Sequence, residues 1–215
     1  YHLGFLLAPR INAAGRLADA TMAVDLFTTS SDIKALEIAR ELNEFNLQRR
    51  IFENEVYNEA LAQIELQQKK GNDSVIWVVR PHWHPGVIGI VASKLTEKFN
   101  VPSFVFCVND KGLAIGSARS VPGVDIGSEV KKLLEAGLIE AGGGHSMAAG
   151  IKSTQTQLEP AMETLKANLK HSRPKEVLTR LEIDSLISIA GANIEIVEEI
   201  NSIGPFGADN PPPLI

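Results

Sequence analysis

The sequence predicts an α/β protein in which one long helix leads into a domain built on a mixed sheet. Three observations predict it. Residues 32–70 run without Gly or Pro and carry apolar residues at spacings of mainly three and four, the period of one helix face. After Gly71, Asn72 and Asp73 the pattern changes to strand-length apolar runs alternating with helix-length ones, as in a two-layer α/β domain. The segment after residue 171 ends in GPFGADNPPPLI and is too weakly patterned for a core of its own.

The elements follow in order. The first thirty residues mix Pro9, Gly15 and an apolar stretch, and end in Ser30, Ser31 and Asp32. Side-chain oxygens in such a cluster accept from the orphan N–H groups that open a helix. Ile33, Leu36, Ile38, Ala39, Leu42, Phe45, Ile51, Phe52, Val56, Leu61 and Ile64 then form the apolar stripe, with Glu, Arg, Gln and Asn between them. At 1.5 Å per residue this helix reaches roughly 55 Å, longer than a small domain is wide, so it is expected to bridge two bodies. SVIWVVR (74–80) is of strand length, and HPGVIGIVASKLTEKF is a loop followed by a helix. VPSFVFCV (101–108) is a second strand, and the NDKG turn at 109–112 joins it to LAIGSA (113–118) as a hairpin. A helix at 125–136, a small-residue loop AGGGHSMAAG at 141–150, a strand edge near 149–153 and a helix at 155–171 complete the domain. Its expected order is β, α, β, β, α, β, α.

Composition narrows the function classes. Hydrophobic residues make up 44% and charged residues 22% of the 215, which excludes a disordered chain. With 21 Lys and Arg against 26 Asp and Glu the net charge is −5, so the chain is not basic all over. Residues 1–70 carry 8 basic and 10 acidic side chains, residues 71–171 carry 10 and 9, and residues 172–215 carry 3 and 7. The acid is concentrated in the tail, and an anion site fits only the first two segments, where arginines converge. The single cysteine, Cys107, lies in an apolar run and is expected to be a core residue in a reducing, cytoplasmic compartment. No apolar run approaches the roughly 18 residues of a membrane helix. The chain opens on YHLGFLLAPRIN without an initiator Met and is expected to be a piece of something longer.

Several segments carry candidate chemistry, each beside a plainer reading. Gly142, Gly143, Gly144 and His145 let backbone N–H groups approach a phosphate or base with an imidazole alongside; the plainer reading is a flexible loop. Ser117 and Arg119, two apart at a strand end, share one face and can grip a phosphate with a guanidinium and a hydroxyl; alone, they equally suit a solvated strand end. His82 and His84 have a spacing that metal binding on a strand would use, but no cysteine pair or carboxylate cluster completes a coordination sphere. They read instead as a loop feeding a helix N-terminus near Gly86, which faces an anion, with Trp83 packed or stacked on a base. Arg10 and Arg16 flank small residues, and Asn43, Asn46, Gln48, Arg49 and Arg50 line the long helix, either as a solvated stripe or as nucleic-acid backbone contacts. No GxxxxGK[ST], GxSxG, GxGxxG after a strand, or HExxH is present.

Taken together, PRINAAGR (9–16), LNEFNLQRR (42–50), WHPGVIGIVASKL (83–95), GSARS (116–120), GGGHSMAAG (142–150) and GPFGADNPPP (204–213) resemble the RecJ family of single-stranded-DNA-specific exonucleases, within the DHH/DHHA1 phosphoesterase superfamily. The resemblance covers essentially the whole chain in order. It implies the tail of a DHH domain at residues 1–30, the connecting helix at 31–70, a DHHA1 domain at 72–171 and the start of an OB-fold domain at 175–215. It further implies 5′-to-3′ hydrolysis of single-stranded DNA in repair and recombination, with Mn²⁺ or Mg²⁺ held by a DHH domain whose motifs this chain lacks.

Residue by residue, the resemblance places Ser117 and Arg119, with Ser120 beside them, in a pocket for the terminal 5′ phosphate. Arg16 matches an arginine that reaches the DNA. Gly142, Gly143, Gly144 and His145 match a GGGH loop that closes over the strand, His145 being a candidate accessory group. Lys94 stands where many relatives carry arginine, and Arg49 and Arg50 lie in the matching helix segment. No catalytic or metal-ligating residue is expected in this chain, and the polypeptide alone is expected to be inactive. The expected partners are single-stranded DNA with a 5′ phosphate, and the DHH and OB domains of the same protein; no membrane is expected. The alternatives are a DHH/DHHA1 phosphodiesterase of short oligonucleotides or cyclic dinucleotides, and a non-catalytic nucleic-acid-binding module.

Overall fold

In the computed structural model, which describes residues 2–68, 74–170, 183–207 and 210–215, two units separate, Tyr1–Arg173 and Pro174–Ile215. The first begins with a π-helical segment, His2–Leu7, that runs into α1 (Ala8–Leu17), followed by α2 (Thr21–Thr28) and the long α3 (Asp32–Gln68). Ser31 opens α3: its Oγ accepts from the Lys34 N–H at 3.3 Å, as the Ser30–Asp32 cluster predicts. Gly71, Asn72 and Asp73, which the sequence predicts to end the helix, lie outside the described residues, as do Ser172, Arg173 and Pro174.

The helix α3 serves two cores. Near its start Ile38 and Leu42 pack with Ala14 of α1, and with Met22 and Leu26 of α2. Some five turns later Val56, Ala60 and Ile64 enter a second core with Val78, Val87, Val91, Leu95 and Val105. Ile38 and Val56 are roughly 27 Å apart along a straight helix, so this one helix is shared between two apolar clusters, both within the unit Tyr1–Arg173.

The second core belongs to a five-stranded sheet. Its strands are β1 (Ile76–Pro81), β2 (Ser103–Val108), β3 (Leu113–Arg119), β4 (Ala141–His145) and β5 (Ala148–Thr154), in spatial order β1-β2-β3-β5-β4. β1 and β2 run parallel, and every other pairing is antiparallel. A parallel pair needs a crossover, and α4 (Pro85–Phe99) supplies it; α4 is opened by Pro85 and closed by Asn100 in the left-handed region, φ 51°. The β2–β3 hairpin turns where NDKG predicts, with Asn109 Oδ1 accepting from the N–H groups of Lys111 and Leu113, both at 3.0 Å.

Helices α3 and α4 cover one face of the sheet, and α5 (Ile126–Glu135) and α6 (Gln155–Lys170) cover the other. On the second face Phe104, Phe106, Ala114, Ala118 and Ile151 meet Val130, Leu133, Met162 and Leu165. Gly116 belongs to this packing, because a Cβ there would run into the Phe106 ring.

One expectation is corrected. Residues 141–150 are not a loop: they form edge strand β4, a two-residue turn at Ser146 and Met147, and the start of β5. Glycine-rich sequence carries little strand signal, but here close packing selects it. A Cβ on Gly142 would stand 2.7 Å from Val130 Cγ1 and 2.8 Å from Ile139 Cδ1.

In the unit Pro174–Ile215, Asn193 caps α7 (Ile194–Ser202) by accepting from the Ile196 N–H at 3.0 Å. Asp184 and Leu214 exchange bonds of 2.9 Å, Asp184 N–H to Leu214 O and Leu214 N–H to Asp184 Oδ2. Its described residues hold an isolated bridge, Gly207 with Asn210, and no longer strand.

Candidate nucleic-acid interface

Strand alternation and pairing register place the candidate residues. In β3, Ala114, Gly116 and Ala118 face α5 and α6, so Leu113, Ile115, Ser117 and Arg119 face the α4 side. Residues directly opposite in antiparallel strands share a face. Arg119 is therefore in line with Ala148 and His145, and Ser117 with Gly150 and Gly143.

The helix α4 packs over β2 and β3 and leaves the neighbouring part of this face open. Gly143 and Gly150 are exposed. A Cβ on Gly143 would meet nothing within 4 Å, and one on Gly150 only the Gly116 carbonyl oxygen at 4.0 Å. The result is a shelf without side chains, two strands wide, bordered by Ser117, Arg119 and His145.

The edge of α4 closes the inner border. Arg119 Nη1 donates to Ser117 Oγ at 3.3 Å and to the Ala118 carbonyl at 2.8 Å. Ser117 Oγ and Arg119 Nη2 lie 3.0 and 3.5 Å from where a Cβ on Gly89 would stand, so the glycine lets α4 press against both. One turn earlier Gly86 admits Arg16: a Cβ on Gly86 would overlap the Arg16 carbonyl, and Arg16 Nη1 donates to the Gly86 carbonyl at 3.1 Å. Gly86 and Gly89 are roughly 4.5 Å apart along the axis, so Arg16, Ser117 and Arg119 converge on one edge of α4. The carbonyl end of α1 also meets the amide end of α4, a favourable meeting of helix dipoles.

His145 Nδ1 accepts from the Met147 N–H at 3.3 Å, which leaves the proton of the neutral ring on Nε2. Across the strand end, Asp125 caps α5 by accepting from Ser128 N–H at 3.1 Å and Ser128 Oγ at 2.7 Å. The Ser128 bonds, with smaller contributions from the Gly127 N–H and from His145, hold its carboxyl below the usual aspartate range.

Other candidates are placed elsewhere. Gly142 and Gly144 are packing residues, since a Cβ on Gly144 would strike the Ala148 and Ala149 backbone. Ser120 is buried and donates to the Val124 carbonyl at 2.7 Å. Lys94 and Arg49 converge on the buried carboxylate of Glu53: Lys94 Nζ lies 2.5 Å from Oε1, and Arg49 Nη1 holds Oε2. Arg49 is itself fixed by Asn46 Oδ1 at 3.1 Å, and Lys94 rests over the Tyr57 ring. This cluster clamps α3 to α4 away from the shelf, and Arg50 is exposed on α3.

The two histidines before α4 have separate roles. His84 caps α4, with Nδ1 accepting from the Gly86 N–H at 3.1 Å, and stacks on Phe52 at 5.7 Å. His82 stands at the carboxyl end of β1, beside Asp110. Trp83 is packed, its Nε1 donating to Glu59 Oε2 at 2.9 Å, so it is not a free stacking platform. Sequence reading missed Gly89, although Gly86 and Gly89 stand at the i, i+3 spacing of one helix face. It also missed Gly150 as the partner of Gly143, which only the register reveals.

Known proteins resemble this chain in sequence and fold. Residues 72–171 match the DHHA1 domain family. The chain is 33% identical over 216 residues to the single-stranded-DNA-specific exonuclease RecJ of Bacillus subtilis (strain 168), covering 99% of this chain and 27% of that protein. To the RecJ of Escherichia coli (strain K12) it is 32% identical over 227 residues, covering 99% and 38%. Among solved structures, RecJ in complex with Mg²⁺ from Thermus thermophilus superposes with a TM-score of 0.84 at 28% identity, over 99% of this chain and 32% of that one. An exonuclease RecJ bound to manganese gives 0.66 at 29% identity, over 79% and 41%. The chain thus spans between about a quarter and two fifths of the length of these relatives.

Proposed function

The chain belongs to the RecJ family over the stretch that it spans, and from that premise we propose that it is the strand-gripping portion of a 5′-to-3′ single-stranded-DNA exonuclease. The observation that carries the reading is the juxtaposition of Ser117 and Arg119 with the bare Gly143–Gly150 shelf on the part of the sheet face that α4 leaves open. The guanidinium and hydroxyl take the terminal 5′ phosphate in charge-assisted bonds. The His145 Nε2–H donates to a second backbone oxygen, and Arg16 approaches from the other border. The glycines let the sugar-phosphate chain lie against the sheet at a distance that any Cβ would prevent.

The hydrolytic chemistry is assigned to residues that this chain does not contain. Relatives were crystallised with Mg²⁺ or Mn²⁺, but among the described residues no group of three or more His, Cys, Asp or Glu could hold a metal ion. The described residues do not fit a two-metal centre. In this reading residues 1–30 end a DHH domain, α3 is the connecting helix, residues 175–215 enter an OB-fold domain, and the whole protein works in cytoplasmic DNA repair and recombination. Among the described residues, no helix is long and apolar enough to cross a membrane.

Equilibrium titration with single strands ending in 5′ phosphate or 5′ hydroxyl tests the reading. The phosphorylated strand binds more tightly, and binding weakens steeply with salt because neutralised phosphates release counterions. Equal affinity for both ends contradicts it. The purified 215-residue chain is expected to degrade neither strand with Mn²⁺ present; appreciable degradation overturns the assignment of the chemistry elsewhere.

A further inference from the structure

Beside the shelf, on the same face of the sheet, lies a cleft of about 350 Å³ at the carboxyl ends of β1 and β2, a size within the range of small-molecule sites. Trp83, Cys107, Val108, Leu113 and Ile115 give it apolar walls, and His82, Asn109 and Asp110 stand among its lining. Ile115 is two residues from Ser117 along β3, roughly 7 Å on the same face, which is about one nucleotide step of an extended strand. Ile115 is 38% exposed, unusual for an isoleucine in the middle of a central strand, and Lys152 stands directly opposite it on β5.

We propose that this cleft is a nucleobase subsite for the strand whose phosphate lies at Ser117 and Arg119, a proposal that rests on the function inferred above. Two features select a base over an anion, and a third marks the mouth of the cleft as a constrained position. Among the described residues no lysine or arginine lines the cleft, whereas the Asp110 carboxylate does, and it repels phosphate while accepting from ring or exocyclic N–H groups. The apolar walls match the faces of a flat heterocycle, which single-strand-binding proteins stack and hydrogen-bond at its edge. His82 is held at φ 66°, in the left-handed region that is uncommon for non-glycine residues, although histidine enters it more readily than most. Its backbone N–H donates to the Val108 carbonyl at 3.3 Å, and its Nδ1 stands 3.9 Å from Asp110 Oδ1, so ring and carboxylate flank the mouth together. Lys152 lies between cleft and shelf, placed for the phosphate that links the two nucleotides.

The test is an abasic scan. The protein is titrated in EDTA, which blocks metal-dependent hydrolysis, with 5′-phosphorylated strands in which one nucleotide at a time lacks its base. Removing the base at one position close to the 5′ end is expected to weaken binding about tenfold, in keeping with the worth of a stacked base, and removal elsewhere should cost much less. Asp110→Ala and Ile115→Ser, both at exposed positions, should erase that position-specific loss and keep the preference for a 5′ phosphate. A flat abasic profile, or a profile unchanged in both variants, overturns the subsite. Loss of phosphate preference is read separately with Arg119→Ala, so a failed cleft and a failed phosphate grip give different results.

Discussion

The Ser117 hydroxyl lies 3.0 Å from the point where a Cβ on Gly89 would stand, so the two side chains proposed to grip the phosphate are seated against a glycine of the helix above them. Gly89→Ala therefore separates stability from binding. In a helix interior, alanine is favoured over glycine by about 1 kcal/mol, so the melting temperature should hold or rise. The added methyl presses on Ser117 and Arg119, and affinity for a 5′-phosphorylated strand should fall while affinity for a 5′-hydroxyl strand changes little. Paired thermal melts and titrations check this; a parallel fall for both strands would count against the positioning role.

Adjacent glycines of one motif should behave in opposite ways. Gly142→Ala forces a methyl against Val130 and Ile139 in the core and should destabilise the protein by about 1–3 kcal/mol. Gly143→Val meets open space on the shelf, so it should leave urea unfolding nearly unchanged and weaken single-strand binding. If Gly143→Val unfolds the protein or leaves binding intact, the shelf is misassigned.

Glu53 joins α3 to α4 by holding Arg49 and Lys94 at once. Glu53→Gln leaves a largely buried guanidinium and a half-exposed ammonium without their carboxylate. The cost should be about 2 kcal/mol, below that of a fully buried pair because Lys94 is 40% exposed. Thermal melts of Lys94→Met and Arg49→Met should show mainly lowered stability, with little change in the salt dependence of DNA binding.

Acid should loosen the joint between α5 and β4. The Asp125 carboxyl titrates below its ordinary value because Ser128 hydrogen-bonds the charged form. A depressed carboxylate contributes stability that is present above its unfolded pKa, about 3.9, and is lost as pH falls through the lower folded value. Asp125→Ala should reduce the melting temperature at neutral pH, and its difference from wild type should shrink as pH drops below about 4. A pH-independent difference would assign the effect to lost packing.

Much of this was legible in the sequence because it depends on local pattern. The long helix has an uninterrupted stripe and a capping serine, and NDKG carries its own turn chemistry. The strand identity of Gly142–His145 was hidden because glycine lacks the β-branched side chains that mark strands, and only contact with Val130, Ile139 and the β5 backbone reveals it. The site was legible as residue types and hidden as geometry. Ser117 and Arg119 announce a shared face by alternation, but pairing with Gly150 and Gly143 is fixed by register between segments distant in the chain. The roles of Lys94 and Arg49 were equally hidden, since their common partner Glu53 is a tertiary fact that helix periodicity does not encode.

The most direct measurement compares wild type and Arg119→Ala for discrimination between strands ending in 5′ phosphate and 5′ hydroxyl. Ser117 and the Gly143–Gly150 shelf remain in place in the variant. The wild type should prefer the phosphorylated strand, and the variant should lose most of that preference, with the hydroxyl-ended strand bound nearly as before. An unchanged preference in Arg119→Ala would contradict the assignment of the 5′ phosphate to this edge of the sheet.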